Sequence, residues 1–149
     1  MGDYGFIRVG AAAPELRVAD VDFNTVNIIE LIDLAVRKGC HFLLFPELCL
    51  TGYTCGDLFY QKQLLDSALS AIETISLHTG KTKSVVILGA PIQSDGMLFN
   101  CAVVISQGTI AGIVPKTYLC NTNEYYEERW FSSELDRKSS FLVVLVSIA

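Results

Sequence analysis

The chain has 149 residues, 51% of them apolar and 18% charged, with eleven Lys plus Arg against sixteen Asp plus Glu for a net charge of −5. That composition suits one domain with a real core and excludes a disordered chain. It also speaks against nucleic acid or an anionic membrane surface as a partner, because both call for basic clusters that an acidic chain lacks.

The opening "MGDYGFIRVG" has neither the basic nor the long apolar region of a secretion signal. Residues 6–16, "FIRVGAAAPEL", begin as a strand and stop near Pro14. A helix is predicted next, with Asp20, Asp22 and Asn24 as candidate N-caps and Ile28, Ile29, Ile32, Ala35 and Val36 along one face. Residues 40–47, "CHFLLFPE", read as a short strand buried on both faces and ended by Pro46. A second helix fits 61–78, with Leu64, Leu65, Ala68, Ile72 and Ile75 on one side and Gly80 closing it.

Three strands are predicted at 84–91, 99–106 and 109–116, joined by "QSDG" and "QG" hairpin turns in which Gly supplies the positive φ. Alternating strands and helices followed by a meander give an α/β layered fold with a mixed sheet. Residues 117–140 are polar and aromatic without periodicity, and long for a connection. The closing "FLVVLVSIA" at 141–149 reads as a buried strand, too short to span a bilayer.

Two strands end in Pro followed by a charge: "FPE" at 45–47 and "VPK" at 114–116. Brought to one cleft, a Lys ammonium favours the carboxylate form of a Glu while burial opposes it. Such a pair suits a base beside a cation that steadies an anionic intermediate. Most strand ends carry charge without chemistry, so the two dipeptides alone favour a surface or structural ion pair, or two unrelated charges.

The cysteines are Cys40, Cys49, Cys55, Cys101 and Cys120, with no C-x-x-C pair, and the two histidines, His41 and His78, lie in separate elements. This pattern fits reduced thiols in a cytoplasmic protein better than a disulfide framework or a metal site.

"FPELCLTGYTCGDLF" together with "VPKTYLCNTNEYYEERWF" resembles the nitrilase, or carbon–nitrogen hydrolase, superfamily. The extensions Gly-Tyr-x-x-x-Asp-Leu-Phe and Glu-x-x-Glu-Arg-Trp-Phe resemble more narrowly the N-terminal glutamine amidotransferase domain of bacterial glutamine-dependent NAD+ synthetases. The resemblance runs from about residue 4 to about residue 131 and implies the first part of an α-β-β-α sandwich, with the synthetase domain outside this chain. It further implies Glu47 as general base, Lys116 as the cation for the oxyanion and Glu124 as a second, supporting carboxylate. Tyr53 and Thr122 fall at substrate-binding positions, although Thr122 replaces the Tyr expected there.

No cysteine matches the family's nucleophile motif, and Cys120 stands where Pro is usual, so these 149 residues by themselves are expected to be inactive. The implied activity is hydrolysis of the glutamine amide, needing no cofactor. Its ammonia would pass to a partner synthetase domain that uses ATP and Mg to amidate deamido-NAD+. No phosphate-binding glycine motif occurs here. The intact protein is expected to be a cytoplasmic homo-oligomer, and half a sandwich to be weakly stable or to pair with its missing half or another copy. Another amidase or carbamoylase, and a non-catalytic remnant serving as an interaction module, are the alternatives.

Overall fold

Of the three candidate caps, Asp20 is the one that starts the first helix. In the computed structural model, which describes residues 5–138, its carboxylate accepts the Phe23 amide at 3.1 Å. Helix α1 then runs Val21–Arg37, burying Ile28 and Ile32 completely. It joins β1 (Val9–Ala11) to β2 (Phe42–Leu44), and α2 (Lys62–Thr79) joins β2 to β3 (Val85–Ser94). Strands β4 (Met97–Ser106) and β5 (Thr109–Pro115) complete a sheet in the order β1-β2-β3-β4-β5. The first three strands are parallel and the last two antiparallel to their neighbours, as expected of a mixed sheet.

Both hairpin turns have the two successive positive φ angles of a tight primed turn, at Asp95 and Gly96 and at Gln107 and Gly108. Strand β3 continues past Pro91 to Ser94, further than the sequence suggests. Its pairing with β2 ends at Ile87, so Pro91 lies where β3 has a neighbour on one side and the missing N–H costs no second ladder bond. The predicted strand at 141–149 lies outside the described residues.

Both helices pack on one face of the sheet, where Leu43, Val86, Leu88, Val103 and Ile105 meet Ile72 and Ile75 in a closed core. The opposite face carries Leu44, Ile87, Val104 and Val114 at matched registers, and there Leu44 and Val114 are exposed. Val9 and Phe42 are exposed on this same face, so part of the sheet's second side is open, while the core-facing stripes of α1 and α2 are covered. β2 is accordingly buried on one face and open on the other, where its apolar run had suggested burial on both.

Asn24 does not cap. It is fully buried in α1, where Oδ1 accepts the Arg17 amide at 2.7 Å and Nδ2 donates to the carbonyls of Arg17 and Leu50 at 2.9 Å each. It thus ties the helix to the loop that follows Glu47. Asn24→Leu strips partners from three backbone groups, of which the Leu50 carbonyl is buried, and is expected to cost roughly 1–3 kcal/mol. Urea unfolding checks this, and a loss below about 0.5 kcal/mol, the scale of an ordinary surface change, would contradict it.

Candidate active site

Glu47 sits on the tight turn that leaves β2. Leu48 takes a positive φ, and its carbonyl accepts the amides of Thr51 (3.1 Å) and Gly52 (2.8 Å). The turn lies directly on Gly89 of β3: a Cβ there would stand 2.2 Å from the Leu48 nitrogen and 2.7 Å from the Glu47 carbonyl carbon. A glycine is what lets the loop approach the sheet this closely.

Lys116 leaves the end of β5. Its amide donates to the Asn100 carbonyl at 2.8 Å, continuing the ladder past Pro115. The buried Asn100 also donates from its side-chain amide to Glu47 Oε1, so one residue fixes both charged partners. Lys116 Nζ lies 2.8 Å from Glu47 Oε1 and 2.9 Å from the Glu127 carboxylate. The two strand-end charges therefore meet, as the motifs around them suggest.

The second carboxylate at Lys116 is Glu127, eleven residues on, and not Glu124. Asn123 adopts a positive φ in a turn where the Tyr125 amide donates to the Thr122 carbonyl at 3.1 Å. That turn leaves Thr122 and Glu124 exposed. The chain then folds back into a 3₁₀ turn at Glu127–Arg129, which buries Glu127. Tyr53 donates its hydroxyl to Glu127 Oε1 at 2.6 Å, and the Cys120 amide donates to Oε2 at 2.9 Å. Tyr53 is thus brought to the cluster, whereas Thr122 lies exposed on the turn.

Exposure separates the two acids. The Glu127 side chain is 3% exposed and saturated with partners, whereas Glu47 is 43% exposed and Lys116 29%. Burial works against the Lys116 ammonium, but hydrogen bonds and charge from Glu47 and Glu127 outweigh it and lift the pKa above its ordinary value. Burial likewise opposes the Glu127 carboxylate, and the bonds from Tyr53, Cys120 and Lys116 outweigh it, leaving that pKa lowered. Tyr53 is held protonated by burial and by the carboxylate it touches.

Glu47, Asn100 and Lys116 line a cavity of about 400 Å³ whose other walls include Leu44, Pro46, Ile87, Ala102 and Val114. This is an apolar recess with a carboxylate and an ammonium at one end, within the size range of small-molecule sites. Among the described residues no group of three His, Cys, Asp or Glu side chains gathers to hold a metal ion.

Three of the thiols are buried and held away from their reactive form. Cys49 donates to the Gly89 carbonyl and is pushed up to about 11 by burial, and Cys101 to about 12 by burial and the charge of Glu134. Cys55, facing the Thr51 carbonyl at 3.1 Å, is also raised by burial. Cys120 meets the cluster through its backbone amide. A thiol held well above neutrality is a poor attacking group.

The two extended sequence motifs are a single contact surface. Asp57 accepts from Arg129 Nε (2.9 Å), Arg129 Nη2 (3.0 Å) and Trp130 Nε1 (2.9 Å). Phe59 packs on Phe131 with ring centroids 4.9 Å apart and on Trp130 at 6.1 Å. Segment 117–138 is thereby fastened to the Glu47 loop.

Comparison with known proteins shows the family to which this fold belongs. The carbon–nitrogen hydrolase family model matches residues 8–147. The glutamine-dependent NAD(+) synthetase of Mycobacterium tuberculosis is 32% identical over 126 residues, 85% of this chain and 19% of that protein. Its counterpart in Aquifex aeolicus is 35% identical over 114 residues, 76% of this chain and 20% of that one. The crystal structure of a glutamine-dependent NAD(+) synthetase from Cytophaga hutchinsonii superposes with a TM-score of 0.81 at 34% identity, over 85% of this chain and 22% of that chain. An amidase from Nesterenkonia sp. shares the fold, with a TM-score of 0.71 at 21% identity over 85% of this chain and 48% of that one. The chain spans about a fifth of the length of the curated relatives it matches. With its Glu–Lys–Glu cluster carried on the same α/β plan, the chain belongs to the carbon–nitrogen hydrolase family and is homologous to a region of the glutamine-dependent NAD+ synthetases.

Proposed function

We propose that these residues form the first part of a glutamine-hydrolysing domain, in which Glu47 is the general base and Lys116 the cation that steadies the oxyanion. The observation that carries this reading is the Lys116 ammonium held 2.8 Å from the accessible Glu47 and 2.9 Å from the buried Glu127. Glu127 has no free approach for a reactant, so it holds Lys116 in place. Glu47 opens onto the cavity and can take a proton.

In the proposed reaction Glu47 removes the proton from an attacking thiol as sulfur bonds to the side-chain amide carbon of glutamine. Negative charge then develops on the amide oxygen, where the Lys116 ammonium is most effective in a partly dry recess. Collapse breaks the C–N bond, the nitrogen takes the proton from Glu47 and leaves as ammonia, and water cleaves the thioester to glutamate. The attacking thiol is to be sought outside these 149 residues, because no cysteine here matches the family's nucleophile motif and Cys49, Cys55 and Cys101 are buried thiols with raised pKa.

In a longer parent protein the ammonia would serve ATP-dependent amidation of deamido-NAD+ by a synthetase domain, in keeping with the names of the relatives. The residues here do not fit ATP or Mg2+: no phosphate-binding glycine motif occurs, and the carboxylates of the site are taken up by Lys116, Asn100, Tyr53 and Cys120.

Ammonia release from L-glutamine tests the proposal. The 149-residue chain alone is expected to release none, and a parent protein carrying the thiol is expected to lose at least 10²-fold in rate on Glu47→Gln, the low end for a general base. Full activity of the Gln variant would refute the role of Glu47. Hydrolysis of simple amides but not of glutamine would make the protein a general amidase instead.

A further inference from the structure

We propose that Asp57 is a positioning residue for the Glu47–Lys116–Glu127 cluster, acting through Arg129 and Trp130 on the turn that carries Glu127. The proposal rests on the catalytic reading of that cluster and adds a residue that reading does not use.

Asp57 lies four residues after Tyr53, in the 3₁₀ segment Gly56–Tyr60. Arg129 closes the short turn that Glu127 opens, and the Glu127 carbonyl accepts the amides of Trp130 (3.0 Å) and Phe131 (2.9 Å). Whatever fixes Arg129 and Trp130 therefore fixes the backbone of Glu127. Asp57 does so with both oxygens, one to each of two guanidinium nitrogens and one of them shared with the indole N–H. Tyr60 adds a hydrogen bond from its hydroxyl to the Arg129 carbonyl.

The Glu47 loop thus grips the Glu127 turn at two places, with Tyr53 on the carboxylate and Asp57 on the residues that follow. The Asp57 and Arg129 side chains are both more than half exposed, a setting in which ion pairs add little to global stability. What the contact does supply is bidentate geometry, which fixes direction as well as distance. Arg129 and Trp130 together hold the Asp57 carboxyl down at about 2, so the latch stays charged throughout the neutral range. The positioning has a clear purpose: Glu127 is the Lys116 partner that faces no reactant, so its distance from Lys116 must be set by the scaffold.

Two readouts test this on the chain as it stands. Trp130 is the single tryptophan, so its emission reports directly on the latch. Selective NMR titration of the Lys116 ammonium reports on Glu127. Asp57→Ala is expected to red-shift the emission and to lower the Lys116 pKa by about one unit, the smaller end of what one neighbouring carboxylate supplies. Asp57→Asn, which keeps an acceptor for the indole but loses the negative charge that faces Arg129, is expected to fall between wild type and Ala. Arg129→Met approaches the latch from its other, exposed side and should lower the Lys116 pKa in the same direction.

A red-shifted Trp130 with an unchanged Lys116 pKa in Asp57→Ala and Arg129→Met would show a local surface clasp only and overturn the proposal. Should Asp57→Ala fail to fold by circular dichroism, Arg129→Met and Asp57→Asn decide in the same terms. Neither readout involves glutamine. Failure of the ammonia assay would sink the proposed reaction while leaving the effect of Asp57 on Lys116 to be read independently.

Discussion

Gly89→Ala is expected to displace the Glu47 turn and to destabilise the domain by about 3 kcal/mol or more, the upper end for overpacking a well-filled site. The added carbon would lie 2.2 Å from the Leu48 nitrogen and 2.7 Å from both the Glu47 carbonyl carbon and the Pro46 oxygen. All three are backbone atoms, so no side-chain rotation relieves the overlap. Either β3 or the turn must move. The turn is the softer element, already using a positive φ at Leu48 and a hydrogen bond from the Leu50 amide to the Gly89 carbonyl. Moving it also pulls Glu47 away from Asn100 and Lys116. Chemical denaturation gives the stability loss, and an Ala variant of wild-type stability would show that the approach is not as close as described.

Lys116→Met is the second large effect, expected at about 3 kcal/mol near neutral pH, the low end for breaking a buried pair because Lys116 retains some exposure. The variant leaves the Glu127 carboxylate buried without its cation. The pH dependence has a definite sign. In the wild type the Glu127 pKa is lowered from 4.5, so its contribution is present above that value and is lost as pH falls through the folded-state pKa. Without Lys116 that pKa rises, and a protonated Glu127 no longer needs the ammonium. The gap between variant and wild type should therefore narrow as pH falls below about 4.5. Urea titrations at pH 7 and pH 4 check it; a gap that widens on acidification would contradict the pairing.

How far these features could be read from sequence depended on whether their cause was local. Both helices, both hairpin turns and the mixed character of the sheet follow from periodicity and from Asp-Gly and Gln-Gly at the turns. The meeting of Glu47 and Lys116 was legible through the motifs around them, since Pro-Glu and Pro-Lys at two strand ends leave unrelated charges open and two strands lie between β2 and β5. Glu127 was not. Three acids at 124, 127 and 128 lie in a segment with no period, and only the reversal at Asn123 and the approach of Tyr53 from 74 residues away select among them. Asn24 failed for a related reason: its local context suits a cap, but its partners include a carbonyl 26 residues distant. Asn100 gave no signal in an apolar strand. The extensions around Asp57 and Trp130 stood out as motifs, yet nothing in either indicated that they touch.

The geometry of Lys116 underlies every functional statement made of this chain, and the titration of its ammonium group in the unmodified protein tests it most directly. Held between Glu47 and Glu127, Lys116 should titrate above its ordinary 10.5, and Glu127→Gln should bring the value down. An ammonium that titrates at or below 10.5, indifferent to Glu127, would mean that the carboxylates do not hold it and that the cluster is not the site.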